Sequence, residues 1–151
     1  MPIVLLTDFG LHDHTVGVMK GVIAGIAPDA PVIDLTHGIA AGDVHAAALA
    51  LSQSVRYFPA GSIFCVVVGA DAGVRPVAIQ AGGFWFVGPD NGVLSFALYD
   101  LPQSWAADVT AALGDEEPGD PLYPAVAALI HAGAPLETLG DPVREIVGLE
   151  R

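Results

Sequence analysis

Residues 3–10, IVLLTDFG, place a polar loop directly after an unbroken apolar run. An apolar run that ends this abruptly is typical of a strand buried on both faces of a parallel sheet. Residues 14–26 then follow helical spacing, with Val18, Val22 and Ile26 four residues apart on one face. The sequence therefore predicts a buried strand followed by an amphipathic helix.

The same alternation continues to residue 68. PVIDLT at 31–36 and SIFCVVV at 62–68 have the composition of short strands. The alanine-rich segment 43–58 between them is typical of a helix, with Asp43 as its cap. A β-α-β-α-β order predicts parallel strands with right-handed crossovers.

The pattern changes in the second half of the chain. Residues 75–92, RPVAIQAGGFWFVGPDNG, indicate two strands joined by a glycine turn, with a short helix after them. Residues 108–119 are polar, with strand character only near Val109, and residues 121–132 are apolar nearly all round, as in a buried helix. A turn and a short strand follow. We predict an α/β fold: a three-layer α/β/α sandwich whose mostly parallel sheet carries an added antiparallel hairpin near residues 77–87.

Length and composition indicate a single folded domain over residues 1–151. The chain has 151 residues, of which 53% are hydrophobic and 15% charged, so we expect a large core. No apolar run has the length of a membrane span, and the N-terminus lacks the basic flank of a signal peptide. We therefore expect no membrane partner and a cytoplasmic location. Cys65 lies in an apolar run, which predicts a buried, inert thiol.

The net charge of −12 limits the class of partner. An acidic surface repels phosphate backbones, so nucleic acid is an unfavourable ligand. The same charge is compatible with a cationic ligand, although it also serves simply to keep an apolar protein in solution.

Polar residues follow each of the three predicted parallel strands. They are Asp8 after the first, Asp34, Thr36 and His37 at the end of the second, and the loop 69–75 after the third. Ligands of open α/β sheets bind beyond the carboxyl ends of the strands, so we expect a site where these loops meet. Strand-end polar residues also cap helices, and that alternative stays open.

Asp8 is the candidate with the clearest chemistry. A carboxylate directly after a strand accepts hydrogen bonds from the two hydroxyls of a ribose, although Asp8 also lies where it can cap the helix that starts near Asp13. The five histidines lack the spacing of a metal site, and no zinc motif is present. We therefore expect no metal and no cofactor.

Four segments, in order, carry a resemblance to a known family. They are LLTDFGLHDHTVGVMKGVI, PDAPVIDLTHGI, AAALALSQSVRYFPAGSIFCVVV and FVGPDNGVLS. Together they resemble the N-terminal domain of the S-adenosyl-L-methionine (SAM) hydroxide adenosyltransferase family, which includes the halogenating fluorinases and chlorinases. The resemblance is strong over residues 3–95 and weaker through GDPLYPAVAALIHAGAPLETLGDPV.

The resemblance implies a displacement at the ribose C5′ of SAM. Water attacks in the hydroxide-using members, a halide attacks in the relatives, and methionine leaves. It also implies that the TDFG motif, here with Asp8 and Phe9, binds the substrate and that Asp8 holds the ribose diol. Asp90 and Asn91 of the PDNG motif lie near the ligand in the family, although either residue also suits a cap for the next helix.

Two motifs depart from the family pattern. In the family the loop after the third strand reads Asp-Pro-Gly-Val-Gly and then arginine. Here Gly69 stands at the aspartate position, Asp71 lies two residues further on, and Arg75 matches the arginine. Asp71 is therefore either a displaced catalytic residue or a turn cap. The family motif Phe-His-Gly-Arg-Asp becomes EEPGD, which puts Glu117 at the histidine position, as a possible base or a solvated loop residue.

The resemblance also implies a missing part. Family members carry a second, β-rich domain that supplies the adenine pocket across a subunit boundary, commonly in a trimer, and residues 1–151 contain no counterpart. We expect a homo-oligomer. Two functions remain open: hydrolysis of SAM to adenosine and L-methionine, with Asp71, Arg75 and Glu117 as candidate catalytic residues, or a non-catalytic, truncated relative that binds a nucleoside or a protein partner.

Overall fold

The computed structural model describes residues 1–114 and 121–150. Its strands are β1 (Ile3–Thr7), β2 (Val32–Thr36), β3 (Ile63–Val67), β4 (Pro76–Ala81), β5 (Phe84–Pro89), β6 (Gln103–Asp108) and β7 (Asp141–Pro142). Its helices are α1 (Thr15–Ile26), α2 (Val44–Ser54), α3 (Ser95–Leu98) and α4 (Leu122–His131). Short 3-10 turns lie at Val55–Tyr57 and Leu136–Thr138.

The strands form one sheet in the order β2-β1-β3-β5-β4-β6-β7. The pairs β1–β2, β1–β3 and β3–β5 are parallel, as predicted for the first three strands. The carboxyl ends of β1, β2, β3 and β5 consequently share one edge of the sheet. The other three pairs, β5–β4, β4–β6 and β6–β7, are antiparallel. The predicted hairpin is confirmed as β4–β5, but it lies inside the sheet because β5 pairs with β3.

Alternate residues of β1 face two separate cores, which accounts for its unbroken apolar sequence. Ile3 and Leu5 pack with Met19 of α1 and Val126 of α4 on one face. On the other face, Val4 and Leu6 pack with residues of α2 and α3. The predicted three-layer arrangement, with helices on both faces of the sheet, is therefore confirmed.

Local sequence signals account for the helix bounds. The Asp43 side chain accepts a hydrogen bond from the Ala46 amide at 3.1 Å and so caps α2, as predicted.

Cys65 lies in the middle of β3 and is fully buried, and burial raises the pKa of its thiol to about 12. The thiol therefore stays protonated, in agreement with the inert role expected of it.

Two elements differ from the sequence prediction. Strand character was predicted near Val109, whereas β6 begins at Gln103 and ends at Asp108, in a segment whose residues other than Trp105 are small or polar. Its pairing with β4 and β7 on either side decides its conformation, because Trp105 is its only residue with a high strand propensity. Among residues 133–150, strand is confined to the two residues of β7. Among the described residues, no helix has the length and hydropathy that crossing a membrane requires.

Candidate functional site

Asp8 joins three loops at the carboxyl edge of the sheet. Its Oδ2 accepts hydrogen bonds from the backbone amide of Gly42, at 2.8 Å, and from that of Gly69, at 3.3 Å. Gly42 lies in the loop after β2, and Gly69 lies in the loop after β3. The structure therefore brings the three predicted strand-end loops together, with the Asp8 carboxylate between them.

Part of the Asp8 carboxylate is left without a partner. Within residues 1–114 and 121–150 no group donates to Oδ1, and the residue is half-buried rather than enclosed. A carboxylate offers about four acceptor positions, of which two are occupied here. The two that remain are the number that a ribose diol requires.

A series of side-chain hydrogen bonds starts at Thr7, the residue before Asp8. The Thr7 hydroxyl lies 2.7 Å from Nδ1 of His37, and Nε2 of His37 lies 2.8 Å from Oδ1 of Asp34. The Lys20 ammonium donates to Oδ2 of Asp34 at 2.8 Å. Thr7 is fully buried and His37 is nearly so, whereas Asp34 and Lys20 reach the surface. This series of hydrogen bonds therefore runs from the buried end of β1 to the surface of the protein.

The hydrogen bonds from Lys20 and His37 favour the charged form of Asp34. Burial raises the pKa of its carboxyl, but the hydrogen bonds from Lys20 and His37 act in the opposite direction and together outweigh burial. The net result is a pKa below the ordinary value for aspartate. Asp34 is thus a stable acceptor for the His37 ring.

Phe9 and Thr36, both predicted to bind substrate, make local contacts. The Phe9 amide donates to Thr7 Oγ1 at 3.3 Å, and its ring packs against the core that contains α1 and α4. Thr36 Oγ1 accepts from the Gly38 amide at 3.0 Å. His37, in addition to its ring contacts, accepts from the Gly10 amide through its backbone oxygen at 2.8 Å. These contacts fix the loops that surround Asp8.

Asn91 fastens the end of β3. Its Nδ2 donates to the carbonyls of Val68 and Gly69, both at 3.0 Å, and its Oδ1 accepts from the Val93 amide at 3.1 Å. The prediction that Asp90 or Asn91 caps the next helix is wrong, because the N-cap of α3 is Leu94, without a side-chain hydrogen bond, and Asn91 instead closes a local turn onto Val93. Gly69 has a φ of +66°, and a Cβ there would lie 2.9 Å from Asn91 Nδ2 and 2.9 Å from Val44 Cγ2. Only glycine fits this position without displacing its neighbours.

Arg75 and Asp90 bind each other and the C-terminal segment. Arg75 Nε donates to Asp90 Oδ2 at 2.8 Å, and a terminal Arg75 nitrogen donates to the Glu145 carbonyl at 2.7 Å. Asp90 Oδ1 accepts from the Val147 amide at 2.8 Å, and the Asp90 side chain is only 3% exposed. Each Asp90 oxygen thus has a protein donor and the side chain is almost fully covered, so contact of Asp90 with a ligand would require displacement of the groups that cover it.

The remaining candidates are less constrained. Asp71 begins a turn, since its carbonyl accepts from the Val74 amide at 3.2 Å, and its carboxylate is exposed. In the described part of the chain no hydrogen bond or ion pair links Asp71 to Arg75. Glu117 lies outside the described residues. Over those same residues, no group of three metal-ligating side chains is close enough to hold an ion.

Sequence reasoning missed three contributors to this site. Thr7 was taken only as the last residue of β1, yet its hydroxyl is buried and bonded. Lys20 and Gly42 were not singled out at all. A hydroxyl at the end of an apolar strand was the available signal for Thr7, because a buried polar group needs a partner. The amide of Gly42 carries no side-chain signal.

Several known proteins match this chain over most of its length. The family model described as the SAM hydroxide adenosyltransferase N-terminal domain matches residues 3–140. The (R)-S-adenosyl-L-methionine hydrolase of Thermus thermophilus is 36% identical and aligns with 94% of this chain and 61% of its own length. The enzyme of the same name from Salinispora arenicola is 39% identical, with coverage of 91% of this chain and 56% of its own.

The solved structures agree. A crystal structure of an uncharacterized conserved protein from Thermotoga maritima superposes with a TM-score of 0.90 at 31% identity, covering 98% of this chain and 61% of that one. The chain thus spans 56% to 61% of the length of these relatives. On the matched residues and the shared fold, the chain belongs to the SAM hydroxide adenosyltransferase family.

Proposed function

We propose that the chain binds the adenosyl group of SAM at the carboxyl edge of its sheet and supports its hydrolysis to adenosine and L-methionine. The observation that carries the proposal is the Asp8 carboxylate, which two backbone amides hold through Oδ2 while Oδ1 has no donor among the described residues. Asp8 is proposed to accept the two ribose hydroxyls through its open positions.

The proposed reaction needs no redox group and balances with water alone. The water oxygen forms a bond to C5′ as the bond between C5′ and sulfur breaks, and the electron pair of that bond goes to sulfur. The sulfonium becomes the neutral thioether of methionine, and the attacking water loses a proton to solvent or to a basic side chain. Because the leaving group is already activated, the protein acts mainly by holding the ribose and desolvating the water.

The name of the two hydrolase relatives specifies the (R) epimer at sulfur. By similarity we propose the same epimer as the substrate of this chain. The net charge of −12 is compatible with a cationic sulfonium. No nucleic acid, metal or cofactor takes part in the proposed reaction.

The residues that handle the water remain predictions. Arg75 and Glu117 hold the matching sequence positions and Asp71 lies two residues beyond the third, but the Arg75 guanidinium is bonded to Asp90 and to the Glu145 carbonyl. If Arg75 is to orient water, those bonds must rearrange when SAM binds. Residues from another chain are proposed to complete the adenine pocket. The expected assembly is therefore a homo-oligomer, and a trimer is the form common in the family.

The Arg75–Asp90 pair also favours a second candidate function. With Arg75 committed to Asp90 and Asp71 directed to solvent, the chain would bind a nucleoside or a protein partner without turnover. The two candidates share the Asp8 contact and differ in whether product forms.

The test uses both sulfur epimers of SAM with the purified chain. Released adenosine is followed by chromatography for the native protein, for Asp8→Asn and for Asp29→Asn. Asp29 precedes β2, at the opposite edge of the sheet, and is exposed, so it provides an identical chemical change outside the site. We expect adenosine from the (R) epimer with the native protein and Asp29→Asn, and a loss of roughly 10- to 100-fold with Asp8→Asn.

Two results would count against hydrolysis. Equal adenosine release by Asp8→Asn and the native protein would indicate a contaminating enzyme. No release, combined with calorimetric binding of adenosine that Asp8→Asn weakens, would establish the binding-only alternative in its place.

A further inference from the structure

The hydrogen bonds between Thr7, His37 and Asp34 have a defined direction. Asp34 is a carboxylate and only accepts, so Nε2 of His37 must carry the proton that it shares with Asp34 Oδ1 at 2.8 Å. The Thr7 oxygen accepts from the Phe9 amide at 3.3 Å, and its own hydrogen needs an acceptor. Among the described residues that acceptor is Nδ1 of His37, at 2.7 Å.

The direction fixes the state of the ring. With its proton on Nε2 and its lone pair on Nδ1, His37 receives from Thr7 and donates to Asp34. At the surface end of these hydrogen bonds, the Lys20 ammonium lies 2.8 Å from the other Asp34 oxygen and keeps the carboxylate aligned. Every polar atom of the two buried side chains then has a partner.

At their buried end, these hydrogen bonds hold the turn that contains Asp8. Thr7 and Phe9 are the two sequence neighbours of Asp8, and the Thr7 hydroxyl binds one to the other through the Phe9 amide. The Gly10 amide, one residue further, donates to the His37 backbone oxygen at 2.8 Å. His37 thus holds the turn at two points, on either side of Asp8, without touching its carboxylate.

We propose that Thr7 and His37 are positioning residues for Asp8: their hydrogen-bond relay sets the orientation of the carboxylate and thereby the preference of the site for a ribose over a deoxyribose. The proposal rests on the proposed binding of a ribose diol by Asp8. It adds that the preference depends on a bond whose atoms do not contact the ligand. Small errors in the placement of a binding group are expensive, so the relay has a measurable effect.

The test compares adenosine with 2′-deoxyadenosine by calorimetric titration of the purified chain. Thr7→Val and His37→Phe break the bond between Thr7 and Nδ1 from opposite sides; the first keeps the shape of the side chain and the second keeps a planar ring. Thr7→Ser restores the hydroxyl. Thr138→Val is the matched control, because its hydroxyl donates only to the nearby Pro135 carbonyl in a 3-10 turn.

We expect the native protein, Thr7→Ser and Thr138→Val to prefer adenosine by roughly tenfold or more. Thr7→Val and His37→Phe should lose most of that preference, with a smaller loss of affinity for 2′-deoxyadenosine, because that ligand has only its 3′-hydroxyl to bond to Asp8. A larger loss for adenosine is not what general loosening of the fold produces, because loosening weakens both ligands alike.

Two different failures are distinguishable. A native protein that binds both nucleosides equally overturns the role of Asp8 and the relay with it. A native protein that prefers adenosine, together with Thr7→Val or His37→Phe that keeps the preference, overturns the relay alone. Should neither variant fold, nitrogen NMR of the native histidines decides: a proton on Nε2 of His37 and a Nδ1 signal that responds to adenosine but not to 2′-deoxyadenosine support the relay, and any other pattern overturns it.

Discussion

Asp8 and Asp90 occupy equivalent places in the fold and have opposite surroundings. Each follows directly on a buried strand, β1 or β5, and both strands end at the same edge of the sheet. Asp8 is half-buried, is held by two amides through one oxygen, and has no cation bonded to it in the described part of the chain. Asp90 is 3% exposed, and its two oxygens are taken by Arg75 and by the Val147 amide.

The difference comes from the chain segments that lie above each carboxylate. The antiparallel partner of β5 starts next to Arg75, and residues 143–149 of the C-terminal segment cross the same loop. Both supply donors to Asp90. Asp8 receives amides only from the neighbouring loops of the parallel strands. A strand-end aspartate is therefore open to ligand only where the rest of the fold leaves it uncovered and leaves one of its oxygens without a donor.

The largest effect is expected from closing the space beside Asp8. Gly69→Ala places a Cβ 2.9 Å from both Asn91 and Val44 at a φ of +66°. We expect a loss of about 2–4 kcal/mol in the free energy of unfolding, from the left-handed backbone and the clash together. Urea denaturation measures it.

Gly73→Ala is the matched control for this change. Gly73 also has a positive φ, +89°, but a Cβ there meets nothing within 4 Å. It should lose only the conformational share, about 1–2 kcal/mol. Equal losses in the two variants would show that the packing around Gly69 is looser than the structure has it.

A smaller effect is expected from the Arg75–Asp90 pair, and it should separate stability from binding. Arg75→Met removes the cation from a carboxylate that is 3% exposed, so we expect a loss of about 1–3 kcal/mol in stability with adenosine affinity unchanged. Asp8→Asn should do the reverse, because an amide oxygen still accepts from Gly42 and Gly69. Arg144→Met, at an exposed arginine, is the control.

The opposite result would reverse the assignment of the two carboxylates. If Arg75→Met leaves the unfolding free energy unchanged and abolishes release of adenosine from SAM, Arg75 is free to act on water and its bond to Asp90 is not structural. Urea denaturation and the chromatographic assay, on the same preparations, distinguish the two.

Much of the fold follows from the sequence because its signals are local. The apolar runs of β1 and β3, the helical spacing of α1 and the Asp43 cap of α2 each depend on a few consecutive residues. β6 does not, because its small and polar residues become a strand only between β4 and β7. Tertiary pairing, rather than propensity, decides such a segment.

The candidate site divides in the same way. The position of Asp8 after a buried strand was readable, and so was the meeting of its loop with those after β2 and β3. The hydrogen bonding of Asp90 could not be predicted from the sequence, because its partners Arg75 and Val147 are 15 and 57 residues away along the chain. The Thr7–His37 bond likewise spans 30 residues. Hydrogen bonds over such separations have no signature in one sequence.

The smallest effect concerns the surface end of the relay and its dependence on pH. Burial raises the pKa of Asp34, but the hydrogen bonds and charges of Lys20 and His37 together outweigh it, so that the pKa lies below the ordinary value of 3.8. A lowered folded-state pKa means that the charged form stabilises the fold above pH 3.8 and that this contribution disappears as the pH falls through the folded-state value. Because both Asp34 and Lys20 are about 40% exposed, the contribution is below about 1 kcal/mol.

Asp34→Asn measures this contribution directly. At pH 7 the variant should unfold at slightly lower urea than the native protein, and the two curves should converge as the pH falls through the folded-state pKa, where the native carboxyl also becomes neutral. Lys20→Met should give the same convergence, since it removes the cation that favours the charged form. A difference that stays constant with pH would mean that Asp34 acts through hydrogen-bond geometry alone, and that His37 needs an acceptor there but not a charge.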